Sequence, residues 1–147
     1  MVNEFEYGRQ ILAALIPIAL TVVVHGLGMD LVRRSFERFG KPLLRKSHNA
    51  GARTAFMISV VSIMVLTHFT GIVVWALALL VLEIVPGVEQ AVFYSMQYYT
   101  TLGANVHKLP ESWAGFGGFE AMTGMLMFGW STAILALVGQ KMHSIDD

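Results

Sequence analysis

Three stretches of the chain run for twenty residues or more without a charge: Gln10 to Met29, Thr54 to Leu82 and Ala121 to Gln140. Each meets the length of about 20 apolar residues that a helix needs to cross a bilayer. The second has length to spare for tilt. Pro17 and the Gly26/Gly28 pair lie inside the first, where a lipid-embedded helix tolerates them better than a soluble one. Between the second and third stretches the pattern changes. Pro86 and Gly87 break the helix, and Val88 to Thr100 then reads as a short helix, with Val92, Phe93, Met96 and Tyr99 at helical spacing. Glu89 sits near its start, where negative charge suits the dipole. This helix is too short to span. It ends in Thr100-Thr101-Leu102-Gly103-Ala104-Asn105, followed by a polar stretch with Pro110. Trp113, Phe116 and Phe119 then suit an interface belt. The pattern predicts one all-α integral membrane domain over 1–147. Its parts are helix 1 at about 10–32, a basic loop at 33–53, helix 2 at about 54–85, a short helix and turn at 88–106, a loop at 107–118 and helix 3 at about 119–141.

Charge orients this pattern. Seven of the ten Lys and Arg residues (Arg33, Arg34, Arg38, Lys41, Arg45, Lys46 and Arg53) fall between helices 1 and 2. The positive-inside rule places that loop in the cytoplasm, the N-terminus and 86–119 outside, and the C-terminus inside, with Lys108 the one Lys or Arg residue against it within 86–119. The basic run doubles as a contact for anionic lipid. Glu4 and Glu6 precede the first apolar stretch with only Arg9, unlike the basic start of a cleaved signal, so a retained helix is expected. Composition agrees with a membrane protein: 55% of residues are hydrophobic and 14% charged, too few charges to solubilise a compact surface. The net charge is zero, which gives no pull toward nucleic acid. With no cysteine, disulfides, thiolate metal sites and cysteine nucleophiles are excluded.

The order helix, short helix, Thr-Thr-x-Gly turn, helix resembles the pore domain of the tetrameric potassium-channel superfamily. The closer likeness is to small bacterial ion-channel (two-pore-domain-like) membrane proteins. His25-Gly26 before the arginine-rich loop, His68 and Trp75 seven apart, and Gly129-Trp130-Ser131-Thr132 carry it across nearly the whole chain. The resemblance implies a re-entrant pore helix and a filter-like loop at 88–106, a homotetramer and the bacterial cytoplasmic (inner) membrane. It also implies potassium or sodium as transported ligands and no other cofactor. Thr100, Thr101, Leu102, Gly103, Ala104 and Asn105 would form the ion pathway, their carbonyl and hydroxyl oxygens replacing water around the ion.

The sequence departs from that family where its filter reads Thr-Val-Gly-Tyr-Gly-Asp. Ala104 stands for the Tyr, Asn105 for the second Gly and Val106 for the Asp. Alanine cannot brace the filter as the ring does, whereas asparagine tolerates a left-handed backbone. His107 and Lys108 add positive charge at the mouth. The expectation is passive conduction of monovalent cations with weak or altered selectivity. The alternative is a non-conducting structural or accessory subunit that keeps the channel fold, alone or inside a larger membrane complex.

Other residues stand open between two readings. Glu83 and Glu120 are pore-mouth candidates or solvated helix ends. Gly124 and Gly129 are hinge candidates for gating or small residues for close packing. His25 and His68, ionisable within the apolar stretches, are functional candidates, either as a metal or haem site or as neutral hydrogen-bonding groups between helices. No His-x2-His or His-x3-His pair occurs. Methionines such as Met122, Met125 and Met127 read as flexible filler. An enzyme is not expected: there is no Gly-x-Ser-x-Gly, His-Glu-x-x-His or phosphate loop.

Overall fold

The computed structural model describes residues 4–46, 50–103 and 109–144. It is 89% helix, with no strand among the described residues. Helix α1 (Glu4–Ser35) buries Gln10, Ala14, Thr21, His25, Met29 and Val32 along one face, the three-to-four spacing of a helix stripe. Its other faces expose Leu12, Ile16, Leu20, Val23, Leu27 and Leu31. A helix that is apolar all round belongs in a core or in lipid.

The basic segment that follows is helical over much of its length. A five-residue π turn (Phe36–Gly40) leads into α2 (Lys41–Lys46). Pro42 lacks an N–H and its ring crowds the carbonyl four residues back, and a widened turn accommodates both. Arg34 pairs with Asp30, and Lys41 with Glu37, on the exposed side.

Helix α3 (Ala50–Val81) buries Phe56, Val60, Met64, His68, Ile72, Trp75 and Leu79 on one stripe. It closes with a paired C-cap. Ile84 N–H donates to the Leu79 carbonyl and Glu83 N–H to that of Leu80, with Glu83 left-handed at φ 53°. That position is usually glycine. Helix α4 (Val88–Tyr99) buries Ala91, Ser95 and Tyr99 one turn apart. A short 3₁₀ turn (Glu111–Trp113) precedes α5 (Phe116–His143).

Helix α1 lies along α3 and α5, and α4 is wedged between α3 and α5 at one end of the bundle. Trp75, Leu79, Tyr99, Phe116 and Met127 centre an apolar cluster at the α4 end; Val32, Phe36, Phe56, Val60 and Val138 centre another at the basic end. The α4 end is also clasped from α1, where Gln10 Nε2 donates to the Ser112 carbonyl at 2.9 Å and the Arg9 guanidinium lies 4.6 Å from the Trp113 ring centre. Among the described residues three helices are long and apolar enough to cross a membrane: Phe5–Arg45, Ala50–Val81 and Glu111–His143. That is compatible with a multi-pass membrane protein.

Candidate functional site

Two features lie where the elements converge. The first is the end of α4. Tyr99 is fully buried, with its ring against Gly71 of α3 and its backbone carbonyl against Gly124 of α5. A methyl group at Gly124 would overlap that carbonyl oxygen, so glycine is what lets α4 reach this depth. Gly71 lies ten residues before the end of α3, which puts Tyr99 about 15 Å down the bundle.

Beyond Tyr99 the backbone alternates. Thr101 has φ 61° and Gly103 φ 78°, with Leu102 on the negative side. The turn is held by Thr101 N–H to the Tyr98 carbonyl at 2.9 Å and Gly103 N–H to that of Gln97 at 3.3 Å. Left-handed geometry is a real cost for a β-branched residue. Thr101, Leu102 and Gly103 are all exposed, Leu102 at 76%. The Thr100 hydroxyl is tied back to the Met96 carbonyl at 2.6 Å. Ala104 and Asn105, with His107 and Lys108, lie outside the described residues.

The second feature is a polar layer between the two apolar clusters. His25 comes from α1, His68 from α3, Tyr99 from α4 and Ser131 from α5. His25 Nε2 and His68 Nε2 both meet the Ser131 hydroxyl, at 3.0 and 2.9 Å, and His68 Nδ1 meets the Tyr99 hydroxyl at 3.3 Å. The His68 ring stacks on Phe128 with centres 4.2 Å apart and planes 18° apart. His25 lies beside Trp130, its centre 5.4 Å from the indole. The His25 ring faces the Met127 carbonyl, but Nδ1 completes no hydrogen bond among the described residues. The Thr21 hydroxyl, one turn from His25, is likewise buried and unpartnered.

The remaining candidates are placed as follows. Glu83 is exposed at the end of α3. Glu120 is fully buried on α5 behind α4, so it is no solvated helix end. The Ser95 hydroxyl faces its carboxyl without closing a well-formed hydrogen bond. Gly124 is packed and Gly129 faces open space. No group of three or more His, Cys, Asp or Glu residues suited to a metal ion occurs among the described residues.

Sequence reasoning flagged both histidines but not Ser131 as their bridge or Tyr99 as the fourth member. The partners of Ser131 lie 63 and 106 residues away, and only Ser131 inside the Gly-Trp-Ser-Thr run hinted at a polar role. No protein-family model, curated protein or solved structure matches the chain.

Proposed function

We propose that the chain is the subunit of a homotetrameric, potassium-channel-like pore that passes monovalent cations with relaxed selectivity. One observation carries the reading: the turn Thr101 to Gly103 is exposed on the protomer surface directly after Tyr99, whose ring packs on Gly71 about 15 Å down the bundle. The hydrocarbon layer is about 30 Å thick, and irregular backbone at that depth is tolerated only against protein or along a water-filled route. Further copies of the chain around a central axis provide both. In this reading α4 is a re-entrant pore helix whose negative C-terminal end faces the pathway. Thr101, Leu102 and Gly103 supply its oxygens. The basic segment lies in the cytoplasm, so the turn opens to the outside.

The test is ion flux through the purified protein in liposomes, comparing potassium, sodium and a large organic cation. Potassium and sodium flux above that of empty liposomes, with the organic cation excluded, is expected. Well-formed tetramers that pass no ion would sink the conducting reading and leave the fold as a scaffold within a larger complex.

A further inference from the structure

We propose that His68 is the seat of a buried proton-binding site, built by one side chain from each of α1, α3, α4 and α5. The hydrogen-bond donors and acceptors of the polar layer assign this seat, whether or not the protein conducts.

Ser131 has one hydroxyl hydrogen and two imidazole nitrogens to serve. With both rings neutral, one consistent set has Tyr99 O–H donating to His68 Nδ1 and His68 Nε2–H donating to Ser131. The serine then donates to His25 Nε2. A proton added to His68 goes onto Nδ1. Only one bond changes polarity: Nδ1–H now donates and the Tyr99 oxygen accepts. Both nitrogens of the His68 imidazolium are then satisfied.

Three further features suit a cation at this ring. Phe128 lies stacked beneath it, presenting the negative face of its π-system. Tyr99 is the last residue of α4, so the negative end of that helix is adjacent. The reversal frees the Tyr99 phenolic hydrogen, and Thr21, a nearby α1 side chain, has a buried hydroxyl with no partner among the described residues. Both side chains flank Gly71, where an added Cβ would lie 3.0 Å from the Tyr99 hydroxyl and 3.4 Å from Thr21 Cγ2.

The same donors and acceptors reject His25 as the seat. Charging His25 would instead put the proton on Nε2, the nitrogen that accepts from Ser131 in the neutral set, and would leave the serine hydrogen without that acceptor, while its Nδ1–H completes no hydrogen bond among the described residues in either state. The His25 ring also lacks a stacked aromatic face. With ring centres 4.9 Å apart, the two rings hold one proton between them, since a second charge would meet the first in a low-dielectric interior. The titratable groups facing His68 are His25 of α1 and Tyr99 of α4. Helix α5 brings buried Glu120, about three turns from Ser131 along the helix but one turn from the Gly124 that meets Tyr99, so that it bears on the layer through Tyr99.

The experiment is nitrogen NMR of the full chain carrying ¹⁵N-histidine in lipid nanodiscs, titrated from about pH 7.5 to about 4.5. Of the two histidines in the polar layer, His68, assigned by the loss of its signal in His68→Gln, is expected to gain a second N–H while His25, assigned likewise by His25→Gln, stays neutral. His48, His107 and His143 are not part of the readout. Tyr99→Phe removes the acceptor for Nδ1–H and should weaken proton affinity about tenfold. Because Tyr99 is a core residue, Thr21→Val serves beside it, and a smaller loss of affinity is expected there. Once the signals are assigned, the wild-type titration decides the matter without Tyr99→Phe or Thr21→Val. If His68 keeps one bare nitrogen to the end of the range, or if His25 gains the proton instead, the proposal is overturned. That holds whether or not the protein conducts.

Discussion

Glu83 holds a left-handed backbone at the end of α3, where glycine would lie without steric cost. Glu83→Gly should therefore raise stability by about 0.5–1 kcal/mol, read as a higher midpoint of thermal unfolding in detergent. No gain would mean that the carboxylate contributes an interaction that offsets the backbone strain. Strain kept where a better residue is available is the pattern of positions retained for function. At this scale the sequence was partly legible. An ionisable residue inside an apolar stretch is conspicuous, so His25 and His68 stand out by composition alone. Their union does not, because nothing local links α1 to α5 across the 106 residues between His25 and Ser131. Glu120 shows the same limit. A carboxylate near a helix start reads as solvated, and only packing against α4 buries it.

Glycines set how closely the helices approach. At Gly28 an added methyl would overlap the Thr67 side chain, which fixes the α1–α3 crossing. At Gly124 it would meet the Tyr99 carbonyl, a backbone atom that cannot turn aside. Gly124→Ala should cost about 1–3 kcal/mol and unseat α4. Gly129→Ala, with open space at its Cβ, should leave thermal stability unchanged or slightly raised. Thermal unfolding of the two variants side by side checks this, and equal effects would refute the close approach of α4 to α5. The close approach of the Tyr99 carbonyl gives Gly124 a packing role. Helix existence and type were legible from hydropathy because a spanning helix must be apolar over its length. Its ends were less so. Helix α1 extends to Ser35 and continues through the π turn into α2, since basic residues are good helix formers and charge alone does not stop a helix.

The whole molecule is described by which end faces which compartment. The native chain contains no cysteine, so single introduced cysteines report without background. Glu111→Cys should react in intact cells with a membrane-impermeant maleimide, and Ser144→Cys only after permeabilisation. The reverse pattern would invert the proposed topology. The mid-bundle layer also carries a consequence for biogenesis. Helix α4 has twelve residues and carries Glu89, Gln90 and Gln97, too short and too polar to partition into lipid unaided. Its seat, between Gly71 and Gly124, exists only once α5 has been made. Ser131, which joins the two histidines, is on that same last helix. A nascent chain interrupted before α5 therefore holds two unbridged imidazoles and an undocked α4. Such a chain carries the marks that membrane quality control can recognise, and completing α5 removes them together.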